Sequence, residues 1–403
     1  LSLIKPVKLL EPLLDNMMLI APSEQWRKIR PSASPAFSSG KLRKMNNLIE
    51  DCVKVTSEHL KRAAEEDKDV EMKQFYGHYA LDVIARCAFG TKLDSHTDQR
   101  NEFVTRAKKA FLGVLTLPVI FLLVFPGVFK LFNIKPLSDR FQYFKDISLK
   151  IIKGRQENNI QHHDFLQLMM DAQEGGIAAA PGKARDTDNE IFDLGSEPKD
   201  DTNLHAKALT EDEAMAQCVL FFLAGHDTTS SVISFVAYML ALHPEVQSKL
   251  QKEVDECFAK HGTAPSLDAI SKLPYLHGVV SETLRMFPPG VRIERSASQD
   301  YVLGDTGIKV PKGCVVVVPI YAMHYDPENF RDPFTFDPER FSEENVDSIR
   351  PYTYLPFGAG PRNCIGMRFA IQAVKLCVLH SVHNVEFVRT DKTKVLTFGA
   401  RFL

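Results

Sequence analysis

Apolar side chains recur at helical spacing through residues about 41–64 and 71–89, with charged faces between them. A longer helix is predicted to start at Thr210-Glu-Asp-Glu213, a capping box, and to run to His243, where Pro244 ends it. At about 1.5 Å per residue such a helix is about 50 Å long, enough to cross a domain. Residues 249–259 and 275–286 continue the helical pattern. The period then changes: Tyr301-Val-Leu303, Gly307 to Gly313 and Cys314-Val-Val-Val-Val318 read as strand, turn, strand. A loop-rich stretch follows, and an apolar helix is predicted from Met367 to about His380. The pattern is that of a mainly α chain with small β-sheets and no internal repeat.

Two stretches depart from it. Ala110 to Phe129 holds twenty residues without a charge, about the length that spans a membrane. Pro118 and Pro126 interrupt it, which favours a pair of short apolar helices facing a hydrophobic channel or a membrane surface over one spanning helix. Ala172 to Lys207 is rich in small and charged residues and poor in large apolar ones, and reads as a long mobile loop. Just before it, Gln161-His-His-Asp164 has metal-binding residue types, but adjacent histidines on a polar helix face different directions, and a solvated face is the better reading.

Composition narrows the classes. The 403 residues carry a formal net charge of -2, which predicts no nucleic-acid partner. Seven scattered cysteines with no Cys-x-x-Cys pair argue against a disulfide framework or a structural zinc site, and for a reducing compartment. The chain opens at Leu1-Ser-Leu-Ile without an initiator Met, and Val395 to Leu403 reads as a strand stopped before its partner, so we expect a fragment missing both ends.

The most informative run is Phe357-Gly-Ala-Gly-Pro-Arg-Asn-Cys-Ile-Gly366. It encloses a lone Cys364, and a lone thiolate suits a disulfide, an electrophile or the axial position of a haem iron. Its neighbours suit the third use. Gly358 and Gly360 let the backbone turn tightly beside a flat ligand. Gly366 lets the following helix approach, Arg362 offers a cation for an anionic group, and Phe357 can cover the sulfur. The alternative is a glycine-rich turn around a buried structural cysteine.

This run resembles the cysteine-ligand loop of the cytochrome P-450 family, Phe-Gly-x-Gly-x-Arg-x-Cys-x-Gly, at every fixed position. Ala224-Gly-His-Asp-Thr-Thr229, with a costly Gly225 inside a helix, resembles the family's oxygen-activation segment. The resemblance implies that Thr228 stands beside the oxygen-binding position and that Asp227 passes protons inward, both catalytic, with Ala224 against the cofactor. Read from its own residues alone, the stretch is better taken as a kinked core helix with Thr228 bonded back to a carbonyl; the Cys364 loop turns the reading to function. Glu282-Thr-Leu-Arg285 places acid and base on one helix face, ordinarily a surface ion pair. In the family, such a pair joins the arginine of a Pro-Glu-Arg-Phe run, here Arg340, in a structural network bracing the cysteine loop. Trp26, Arg30, Arg295 and Arg362 match residues that hold the haem propionates, although Pro31 is expected to end the Trp26 helix early and put the aim of Arg30 in doubt. Phe221, Ala224 and Thr228 share a helix face, and the run holding Pro289 and Gly290 resembles the family segment that passes over the haem, so together they form the expected substrate pocket; each alone reads equally as a core residue.

Phe165-Leu-Gln-Leu-Met169, His243-Pro-Glu-Val-Gln247 and Ser34-Pro-Ala-Phe-Ser-Ser-Gly-Lys-Leu42 are similar to the animal microsomal drug- and steroid-oxidising subfamily. The resemblance implies one cytochrome P-450 domain over residues 1–403, b-type haem (iron protoporphyrin) with Cys364 as axial ligand, and a monooxygenase acting on a lipophilic substrate. It also implies electrons from NADPH through the flavoprotein NADPH-cytochrome P-450 reductase, cytochrome b5 as a second partner, and a place on the cytoplasmic face of the endoplasmic reticulum membrane. Arg27, Lys28, Lys41, Arg43 and Lys44 are either a reductase-docking patch or a solvated face. Two other functions stay open: a haem-thiolate isomerase of lipid peroxides, and a haem-binding fragment without activity.

Overall fold

A computed structural model of the chain describes residues 12–111, 138–158, 164–173 and 208–394, with 160, 162 and 396. Most of the apolar run to Phe129 and of the 172–207 loop, and the strand expected after Val395, lie outside the described residues, as does Leu1 to Glu11.

Helices α1 (Pro12–Asp15), α2 (Ser23–Ala33), α3 (Ser39–Glu65), α4 (Met72–Phe89) and α5 (Glu102–Phe111) form the first part of the chain. Contrary to expectation, α2 runs through Pro31. The proline stands near the helix C-terminus, where the hydroxyl of Ser32 donates to the Lys28 carbonyl (3.0 Å) and that of Ser34 to the Arg30 carbonyl (2.8 Å), so the break in the ladder stays local. Helix α4 is capped by the Glu71 carboxylate and ends on Gly90 at φ 62°. Helices α6 (Ser138–Asn158) and α7 (Phe165–Gln173) follow, and α7 takes in Ala172 and Gln173, the first two residues of the expected loop.

Helix α8 (Glu211–Leu242) is the spine. The capping box forms: the Thr210 hydroxyl accepts from the Glu213 amide (3.2 Å) and the Glu213 carboxylate from the Thr210 amide (2.9 Å). Helix α8 is long and apolar enough to cross a membrane. However, its two ends are buried within the protein, against α4, α7 and, from further along the chain, α13 (Met367–Asn384). Helix α8 continues unbroken through Gly225, and that glycine serves packing. A Cβ there would lie 2.5 Å from Ile84 Cδ1 on α4, so its absence lets the two helices touch.

After α9 (Pro244–His261), α10 (Leu267–Ser271) and α11 (Pro274–Met286) comes the sheet. It differs from the expected single hairpin. Strand β1 (Ile293–Ser296) pairs antiparallel with β4 (Val315–Val318), while β2 (Tyr301–Val302) pairs with β3 (Lys309–Val310). Helix α12 (Ile320–His324) and a short turn at Pro338–Phe341 lead to the cysteine loop and α13. One core cluster runs from Leu13 to Phe387.

Candidate functional site

The loop before α13 is built by its glycines. Gly358 (φ 72°) and Gly360 (φ 74°) occupy the left-handed region that L side chains avoid. The Gly358 amide donates to the Leu355 carbonyl (3.0 Å), the Asn363 amide to Gly360 (2.9 Å) and the Cys364 amide to Phe357 (2.9 Å). Gly366 is less constrained than expected, since a Cβ there would meet Phe37 at an ordinary 3.7 Å.

Cys364 has open surface. Yet its thiol is pushed up by desolvation, against the Gly366 amide and the Arg30 charge, which favour the thiolate. Open surface together with desolvation places the residue in a recess of the fold, not on its outer face. Arg30 straps the loop from α2, donating to the carbonyl (3.0 Å) and side-chain oxygen (2.7 Å) of Asn363.

Two cations stand beside this loop. The Arg362 guanidinium lies 4.6 Å over the Trp26 ring, and Arg295 on β1 donates to the Glu294 carbonyl (2.8 Å) and the Arg362 carbonyl (3.4 Å). Burial lowers the pKa of both, and the neighbouring Arg295 charge helps bring Arg362 down to about 10. Among the described residues no carboxylate pairs with either, and Arg362 Nη2 is buried without a partner. They face a cavity of about 450 Å³ lined also by Trp26, Ile293, Val318 and Leu355. Desolvated cations around an empty volume are suited to an anion with an apolar body.

On α8, Ala224, Asp227 and Thr228 are exposed between buried turns. The Thr228 hydroxyl donates to the Ala224 carbonyl (2.7 Å), as in the back-bonded reading of the sequence. Asp227 is anchored by Lys73 on α4, whose Nζ lies 2.8 Å from its carboxylate and 2.8 Å from its carbonyl, and which also reaches the Ser230 and Ser231 hydroxyls. His226 packs inward, its Nε2 3.1 Å from the Gly77 carbonyl, and burial lowers its pKa to about 4. Phe221 belongs to the core, edge-on to Phe37 and against Phe165, and leaves the other two to form the open face. Pro289 and Gly290 are exposed beyond α11.

Glu282 and Arg285 are fully buried, which excludes a surface pair. Arg285 grips both Glu282 oxygens (2.7 and 2.8 Å), and Arg340 Nε approaches Glu282 Oε1 at 3.3 Å.

A sequence profile of the Cytochrome P450 family matches residues 7–400. Cytochrome P450 3A7 of Homo sapiens is 39% identical over 399 residues, covering 97% of this chain and 74% of the relative. Cytochrome P450 3A5 of Homo sapiens is 39% identical over 388 residues (95% and 72%), and Cytochrome P450 3A2 of Rattus norvegicus 37% over 389 residues (95% and 72%). The chain belongs to the cytochrome P450 family. As a cytochrome P450 it is an oxidoreductase, a haem-thiolate monooxygenase, and the mainly helical fold with small sheets is that of the family. The unpartnered Arg362 donor, the cation pair and the recessed thiol fit its haem.

Other parts of this cytochrome P450 escaped the sequence. Lys73 holds Asp227, His324 accepts from the Leu355 amide and the Tyr354 hydroxyl donates to the Ser281 carbonyl; each lies far along the chain from what it touches, and no local pattern marks them. Of the basic residues expected to form a docking patch, Lys28 pairs with Glu213 (2.6 Å) and Arg43 with Asp268 (2.9 Å). All seven cysteines are free, and no metal-holding cluster of three or more His, Cys, Asp or Glu exists among the described residues; Asp164 is instead bonded to Arg155.

Proposed function

We propose that this cytochrome P450 inserts one oxygen atom from O2 into a lipophilic xenobiotic or steroid, folding over residues 1–403 as one domain. Electrons come from NADPH through NADPH-cytochrome P-450 reductase, with cytochrome b5 as a second donor, on the cytoplasmic face of the endoplasmic reticulum membrane. Held by Cys364, haem supplies the redox chemistry of oxygen activation, and a thiolate ligand favours O–O cleavage. The observation that carries the reading is the recessed Cys364 beside two arginines that lack carboxylate partners.

Each residue then has a task. The Arg30 charge and the Gly366 amide stabilise the Cys364 thiolate. Arg295, Arg362 and Trp26 bind the propionates, and Arg30 keeps the loop in place. Phe357 shields the sulfur. Ala224 leaves room against the cofactor, and Thr228, whose proton rests on the Ala224 carbonyl, keeps lone pairs to accept a hydrogen bond from an entering water. Asp227, exposed on the same face and paired with Lys73, passes protons inward. Pro289 and Gly290, with Thr228, border the substrate. The reductase docks on the basic side of α2 and α3, where Arg27, Lys41 and Lys44 supplement the paired Lys28 and Arg43. The test is turnover of a steroid and xenobiotic panel under isotopically labelled O2 with the reductase. Label in the product at one atom per molecule is expected. Product without label, or turnover of a lipid peroxide without reductase, overturns the proposal.

A further inference from the structure

The Glu282–Arg285–Arg340 network does not itself reach the cysteine loop. Its arginines bond to Glu282 and to the carbonyls of His324, Thr335 and Asp332. The connection is made by His324, the last residue of α12, which is fully buried. Its Nδ1 lies 2.9 Å from the Arg285 carbonyl oxygen, and its Nε2 lies 2.9 Å from the Leu355 amide nitrogen. A carbonyl accepts and an amide N–H donates, so Nδ1 carries the proton and Nε2 offers a lone pair. The ring is therefore neutral and in one tautomer. Arg285 returns the bond, its Nη1 donating to the His324 carbonyl at 2.9 Å.

The ring stacks on Tyr354 (5.5 Å, 26°), whose hydroxyl donates to the Ser281 carbonyl of α11 (2.9 Å), and Phe330 closes its edge (6.0 Å). Arg285 from α11 and Tyr354 from the loop are the titratable groups against it, and burial lowers its pKa to about 4. From Leu355 the hydrogen bonds continue: Leu355 carbonyl to Gly358 amide, then Phe357 carbonyl to Cys364 amide. A continuous relay thus joins α11 to the sulfur-bearing residue.

We infer that His324 is a positioning residue for the Cys364 loop, a neutral ring of fixed tautomer that ties Leu355 to the backbone of Arg285. Its consequence for catalysis rests on the proposed function; its effect on the loop does not.

Two variants separate its bonds. The amide NH2 of His324→Asn stands near the place of Nδ1 and keeps the Arg285 bond while releasing Leu355. The carbonyl of His324→Gln stands near the place of Nε2 and keeps the Leu355 bond. In the haem-loaded full chain, amide hydrogen exchange over residues 355–364 should quicken about tenfold in the Asn variant and stay within about threefold of wild type in the Gln variant. The thiolate-type carbon monoxide spectrum should decay faster in the Asn variant than in the Gln variant. Equal damage in both, or greater damage with Gln, overturns the inference. If the wild type shows no thiolate-type spectrum but the exchange order holds, the proposed function fails and the loop assignment stands. Should neither variant fold, nuclear magnetic resonance of the wild-type ring nitrogens decides: one protonated and one bare from about pH 5 to about 8 supports the inference, and titration in that range overturns it.

Discussion

Gly278 offers a test in which local propensity and tertiary packing predict opposite signs. It lies in α11, one turn before Glu282. A Cβ placed on it would stand 2.6 Å from the Pro338 carbonyl oxygen and 3.3 Å from its carbon, both backbone atoms that cannot rotate away. Gly278→Ala therefore drives the Pro338–Phe341 turn off the helix. The turn and the residue before it carry Arg340 Nε at 3.3 Å and the Asp337 amide at 3.1 Å, both on Glu282 Oε1. The Glu282–Arg285 pair, internal to α11, survives. Weakening hydrogen bonds to a buried carboxylate costs about 1.5–3 kcal/mol each when lost outright, and overpacking about 1–3 kcal/mol. The alanine returns about 1 kcal/mol of helix propensity, so with the equivalent of one of these bonds lost we expect a net loss of about 1.5–5 kcal/mol. Gly154, inside α6 with nothing within 4 Å of its would-be Cβ, is the control, and Gly154→Ala should gain about 1 kcal/mol. Urea denaturation midpoints measure both. If Gly278→Ala moves the midpoint upward as the control does, the close approach of α11 to the turn is wrong.

Three further outcomes follow from the site. Arg362→Met removes a charge-assisted bond worth about 1.5–3 kcal/mol, so haem should transfer to a competing apoprotein with about 10–100-fold greater ease, and unchanged retention would remove Arg362 from the propionate site. Thr228→Ala should lower product formed per NADPH consumed by about tenfold or more, with Thr228→Ser close to wild type; equal coupling in all three would end the proton role. His96 and His277 (pKa about 3) and His226, His324 and His380 (about 4) are all depressed by burial. Unfolded histidine takes up its proton near pH 6.5 while the folded ring stays neutral, so their contribution is complete above about pH 6.5 and is lost as pH falls toward about 4, or about 3 for His96 and His277, at about 1.4 kcal/mol per pH unit for each. A denaturation midpoint that is flat from pH 7 to pH 5 would contradict this.

What the sequence made legible was what local spacing encodes. The cysteine loop, the capping box at Thr210 and the Glu282–Arg285 pair each need only a few neighbouring residues to be recognised. Gly225 shows the limit: a glycine in an apolar helix signals either a break or a close approach, and only Ile84, far back on α4, decides for the second. Arg30 was in doubt for a similar reason, since its direction is set by Asn363 and the helix ignores the proline beside it. Strand β1, Ile-Glu-Arg-Ser, lacks alternation because it is half-buried throughout most of its length, so its pairing with β4 had no periodic signal. Lys73 and His324 lie outside any motif, and their importance rests on contacts that the fold alone creates.

The central claim is that the Cys364 thiolate is the axial ligand of a haem. The reduced carbon monoxide difference spectrum of the haem-loaded chain tests it most directly, alongside Cys364→His. We predict the red-shifted Soret band of thiolate ligation in the wild type and its replacement by the histidine-type band in the variant. A histidine-type band in the wild type, or a thiolate-type band that survives the substitution, would contradict the account.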